Sequence, residues 1–161
     1  MSFPRVTLPL IVAGSSLLQN GLLITSILII LSLMGEYPSW IQLWLLPITL
    51  ITLLFSFGMG LIIGVLNVFL RDVGQIVPVI LQIIYWFTPI VYPKSIIPEP
   101  YRKWLDLNPL TGLVESYQSI LVYHTAPDFM RLLPLIGLTL LSLAFGLVLF
   151  RKASAELVDL L

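Results

Sequence analysis

Histidine, cysteine and lysine supply most nucleophiles, metal centres and phosphate sites, and this chain offers little of each. There is one histidine, His124, and no cysteine. No His/Glu pair has metal-ligand spacing, so His124 reads as a neutral loop residue. None of Lys94, Lys103 and Lys152 follows a glycine, so the G-x-x-x-x-G-K-[ST] phosphate cradle is missing and ATP binding by that route is excluded. With net charge +0, the chain lacks the basic character of a nucleic-acid partner or a polybasic surface anchor. The absence of cysteine leaves the redox compartment unspecified.

The elements that must position any remaining chemistry are set by hydrophobicity. Hydrophobic residues make up 58% of the 161 and charged ones 10%, with a mean hydropathy of +1.05. Soluble domains carry roughly 25% charged residues, so lipid is the solvent that suits this chain. Met1-Ser2-Phe3-Pro4-Arg5 does not read as a signal peptide. Charge-free stretches cover residues 6–35, 37–70, 73–93 and 132–150, with lengths of 30, 34, 21 and 19. A bilayer core needs about 20 helical residues, so each stretch crosses once. The fold class is therefore all-α, a polytopic membrane protein with spans over about 8–34, 40–68, 73–92 and 131–151. Ionisable groups are absent from the span cores, which weighs against proton- or sodium-coupled transport.

Within the spans, Ser15, Ser16, Gln19 and Asn20 form one narrow polar face expected to look at protein or a cavity. Trp40 and Trp44 read as interfacial anchors. Ser56, Gly60 and Gly64 recur every four residues as a strip for close helix packing. Asp72 and Gln75 have capping-box spacing, Pro78 predicts a kink, and Pro89 and Pro93 close the third span. Residues 93–130 form a helical loop of two short amphipathic helices, external or re-entrant. One has the stripe Tyr101, Trp104 and Leu105. The other has Leu110, Leu113, Val114, Tyr117, Ile120 and Leu121 opposite Thr111, Glu115, Gln118 and Ser119, with Asn108-Pro109 as cap and first-turn proline. Counting positive charges on the two sides ends in a tie, so orientation stays open at this point.

Several motifs resemble those of type-two ABC exporter permeases, which move polysaccharides or teichoic acids across the bacterial cytoplasmic (inner) membrane. They are Phe3-Pro4-Arg5 with Leu8-Pro9, Asn67-Val68-Phe69-Leu70-Arg71-Asp72, Thr88-Pro89-Ile90-Val91-Tyr92-Pro93, Leu107-Asn108-Pro109-Leu110 and Glu115-Ser116-Tyr117. The resemblance implies that Arg5, Arg71-Asp72 and Arg151-Lys152 are cytoplasmic and residues 94–131 external. It implies a permease homodimer with separate ABC ATPase subunits that hold the ATP, a lipid-linked glycan as substrate, and no cofactor in this chain. Family members have six spans. The likeness covers the last four, so residues 1–161 are expected to be a partial transmembrane domain of a truncated form.

Under that resemblance Tyr85, Trp86, Tyr92, Tyr101 and Trp104, with neighbouring Phe87, are candidates for the substrate path. Aromatic faces pack on sugar C–H groups, although the same residues also suit plain interfacial anchoring. Arg71 and Asp72 are coupling candidates, with a helix cap as the alternative. The other function class open to such a chain is a small non-transporting membrane subunit or assembly factor.

Overall fold

A computed structural model describes residues 7–36, 39–90, 92 and 96–159. The order of elements is α1 (Thr7–Leu33), a short 3-10 turn (Trp40–Trp44), α2 (Leu45–Phe69), α3 (Val73–Phe87), α4 (Glu99–Asp106), α5 (Pro109–Leu121) and α6 (Phe129–Asp159). The described residues contain no strand. Among the described residues, three stretches are long and apolar enough to cross a bilayer: Ile11–Leu33, Trp40–Phe69 and Phe129–Ala153.

The fourth expected span is shorter than 73–92. Helix α3 has 15 residues, about 22 Å at 1.5 Å per residue, against a hydrocarbon core of about 30 Å. It continues through Pro78 and stops at the first of the two closing prolines. Pro89 disfavours helical geometry in the residue before it, and Thr88 is extended at φ −102°, ψ 130°.

The core lies between α2, α5 and α6. Leu45, Ile48, Leu113, Ile120, Leu132 and Leu135 are its buried residues, and Ile24 and Leu28 of α1 pack on its edge. Helices α2 and α6 approach closely because each puts a glycine at the contact. A Cβ on Gly58 would sit 2.6 Å from Ser142 Oγ and 2.8 Å from the Leu143 nitrogen, and one on Gly146 would sit 2.9 Å from the Gly58 carbonyl.

This seam does not use the expected packing strip, which is left open on another side of α2. Ser56, Gly60 and Gly64 are exposed, and a Cβ on either glycine would meet nothing within 4 Å. The seam runs through Gly58, Leu61 and Val65 instead. At about 100° per residue, Gly58 and Gly60 lie on nearly opposite sides of the helix.

Helix α5 also departs from a half-solvated amphipathic helix. Thr111 and Ser116 are buried with Gly112, Leu113 and Ile120, and Gly112 lies against the Arg131 carbonyl at the start of α6. The polar residues can go inside because each finds an acceptor. Thr111 Oγ1 donates to the Leu105 carbonyl at 2.7 Å and Ser116 Oγ to the Gly112 carbonyl at 2.7 Å. Tyr117, on the side expected to be apolar, places its hydroxyl 3.1 Å from Thr49 Oγ1 and 3.4 Å from Thr52 Oγ1 of α2.

The polar face of α1 splits as well. Ser16 and Asn20 turn half-buried towards the chain, while Ser15 and Gln19 are exposed. The two pairs are one residue out of register, which separates them by about 100° around the axis.

Candidate functional site

The end of α3 is where separate parts of the chain converge. A groove of about 600 Å³ is lined by Trp86 and Phe87 of α3, Tyr92 and Ile97 of the connection, and Tyr101, Trp104 and Leu105 of α4. Four of the five path candidates (Trp86, Tyr92, Tyr101 and Trp104) share this groove. The fifth, Tyr85, is not among its lining. It packs edge-on to Trp86, with ring centroids 5.8 Å apart and planes at 81°. Phe87 was visible in the sequence as a neighbour of the aromatic candidates and Leu105 as part of an apolar stripe. Ile97 carried no signal, since it lies between elements.

Local chemistry explains why the chain folds this way here. A helix leaves its last carbonyls without partners, and at membrane depth water cannot supply them. Helix α3 finds its partners in the residues that follow. Thr88 N–H donates to the Tyr85 carbonyl at 3.3 Å, Thr88 Oγ1 to the Ile84 carbonyl at 2.8 Å, and Tyr92 hydroxyl to the Trp86 carbonyl at 2.8 Å. On the α4 side, Arg102 Nε donates to the Ile97 carbonyl at 2.8 Å and holds the connection against the helix.

The groove's lining is aromatic and aliphatic, with two tyrosine hydroxyls and two indoles as its polar side-chain groups. It presents flat faces for C–H groups and a few hydrogen-bonding edges. Among the described residues it brings together no nucleophile with a base. Trp86, Tyr101 and Trp104 are 61%, 63% and 73% exposed, which leaves their faces accessible.

The coupling candidates lie at the opposite end of α3. Arg71 and Asp72 are exposed, beside the exposed Val68, Phe69 and Leu70. The expected capping box is absent. Asp72 occupies the N-cap position but its side chain makes no cap hydrogen bond. Asn67 does that work from α2, its Oδ1 accepting from Gly74 N–H at 2.9 Å. The turn between the helices brings a side chain seven positions upstream within reach, so a local pattern pointed at the wrong residue.

His124 has a partner that its sequence neighbours did not reveal. Its Nε2 lies 3.1 Å from Glu36 Oε2, and its backbone takes the left-handed conformation at φ 50°. The pair joins the turn after α1 to the turn after α5.

Comparison with known proteins gives a consistent set of likenesses. Residues 1–122 match the family described as ABC-2 type transporter. The chain is 29% identical over 159 residues to the O-antigen export system permease protein RfbA of Myxococcus xanthus, covering 98% of this chain and 61% of that protein. It is 28% identical over 165 residues to a Klebsiella pneumoniae protein of the same name, covering 99% of this chain and 61% of the relative. To the polysialic acid transport protein KpsM of Escherichia coli it is 30% identical over 128 residues, covering 78% of this chain and 49% of that one. The chain thus spans about three fifths of the length of the O-antigen permeases it matches.

Proposed function

The chain belongs to the ABC-2 type transporter family, and from that premise we propose that it is the membrane-spanning permease part of an ATP-driven polysaccharide exporter. Its substrate is a lipid-linked glycan, such as an O-antigen, a capsule or a teichoic acid, carried across the bacterial cytoplasmic membrane. ATP is bound and hydrolysed on a separate ABC ATPase subunit, and this chain holds no cofactor. Its multi-pass character follows from the three long apolar stretches. The substrate reading draws support from relatives named for O-antigen export and polysialic acid transport.

What carries the reading is the convergence of Trp86, Tyr92, Tyr101 and Trp104 on one groove, since accessible aromatic faces suit the C–H faces of sugars. Permease dimerisation is supported by surfaces that this chain leaves uncovered. An exposed amide at Gln19 and an open Gly60/Gly64 strip are poor company for lipid and good contacts for another helix. Arg71 and Asp72 remain the coupling candidates, in an exposed turn flanked by apolar side chains.

Replacing Trp86, Tyr101 and Trp104 together by alanine, in the permease expressed with its ATPase, is expected to cut surface polysaccharide about tenfold, given the strength of aromatic packing. Unchanged export at an unchanged level of permease in the membrane would refute the groove's role. In the same assay Asp72→Asn leaves helix capping untouched, because Asp72 makes no cap bond. Loss of ATP-dependent export is therefore the outcome expected if its charge serves coupling, and full export removes Asp72 from that role.

A further inference from the structure

The two walls of the aromatic groove belong to different elements. Trp86 and Phe87 end α3, whereas Tyr101, Trp104 and Leu105 lie on α4. Helix α4 is eight residues long, too short to hold its own position without tertiary support. Its anchor is α5, through the Thr111 hydroxyl on the Leu105 carbonyl. The groove's width therefore depends on whatever ties the head of α5 to the tail of α3.

That tie is a side-chain hydrogen bond from Asn108 Nδ2 to Thr88 Oγ1, at 2.9 Å. Each partner bonds in two directions. Thr88, 2% exposed, donates its hydroxyl proton to the Ile84 carbonyl at 2.8 Å while accepting from Asn108. Asn108 turns its oxygen to the Leu110 N–H at 3.0 Å as the cap of α5 and gives its amide proton to Thr88. A chain of hydrogen bonds thus runs from the backbone of α3 to the backbone of α5. Gln118 adds a longer contact from the next turns of α5, its Nε2 3.4 Å from the Pro89 carbonyl.

We infer that the Thr88–Asn108 pair is the pin that sets the separation of the groove's walls, and so positions the aromatic side chains without touching what they bind. Both residues are positioning residues. The pin bears on transport only through the reading of the groove as a substrate path. Its geometry is measurable without transport, so failure of one idea can be told from failure of the other.

The chain has no cysteine, which makes site-directed spin labelling clean. The full chain, with Trp86→Cys and Trp104→Cys labelled on the two walls, is reconstituted in lipid and the label–label distance distribution recorded. Thr88→Val removes the hydroxyl at nearly constant volume. It is expected to raise the population of wider separations about fivefold, the equilibrium factor of one net hydrogen bond. Asn108→Asp retains the oxygen that caps α5 but loses the amide donor, and should widen the distribution likewise. Thr88→Ser should restore the original one. Ser116→Ala deletes a hydroxyl that is equally buried and bonded only within α5, and should leave the distribution unchanged. The inference is overturned if Thr88→Val matches the parent, if Thr88→Ser fails to restore it, or if Ser116→Ala widens it as much.

Discussion

Helix α5 carries Thr111, Glu115, Ser116, Gln118 and Ser119 within 13 residues and lies in the core. Helix α1 has 27 residues without a charge, and none of its most apolar window is buried. Placement here runs opposite to hydrophobicity. In water the more apolar helix would be driven inside. Lipid is as apolar as leucine, so α1 gains little by leaving it, while polar groups of α5 gain partners by packing, Tyr117 on α2, Thr111 on α4 and Glu115 on α6. Close approach at small residues adds to this. Gly112 admits the Arg131 carbonyl, and Glu115 reaches the Arg131 guanidinium at the start of α6.

The contrast can be broken most strongly at Gly112. Gly112→Val would push a side chain into the Arg131 backbone, an overpacking cost of roughly 3 kcal/mol, and should sharply reduce the folded fraction in a denaturing-detergent titration. Its counterpart on the exposed helix is Gly21→Ala, which meets nothing within 4 Å. It should be neutral or stabilising by about 0.5 kcal/mol, and a large loss there would mean that α1 is packed by another helix at that point. A smaller break is Tyr117→Phe. It removes the hydroxyl shared with Thr49 and Thr52 and should cost about 1 kcal/mol in the same titration. No change would mean that α5 is held by shape alone.

Some of this was legible early because it depends on short-range chemistry. Asn108-Pro109 caps α5 as its spacing predicts, with Asn108 accepting from Leu110. Pro78 sits inside α3 and Pro89 ends it. The aromatic candidates were gathered only as a region near one end of α3, and the fold places four of them around one groove. Other features depend on direction around a helix or on distant neighbours, which spacing does not give. Ser56, Gly60 and Gly64 have the right spacing for close packing but face away from α6. Asp72 has the right position for a cap, yet Asn67 arrives first. Thr111 and Ser119 belonged to the same polar side on paper, while in the fold Thr111 is buried and Ser119 only half so.

The order of residues by itself determined that this is an all-helical membrane protein with uncharged span cores and a charge-rich helical insertion before the last helix. Those properties follow from transfer of side chains into lipid and from backbone geometry at prolines, both of which act within a few residues. Tertiary structure alone decided which face of each helix is covered, that four aromatic side chains share one groove, and that Thr88 and Asn108 meet beside it. Such choices are made between helices of similar hydrophobicity, where burial no longer discriminates and polar pairing with close backbone contact takes over.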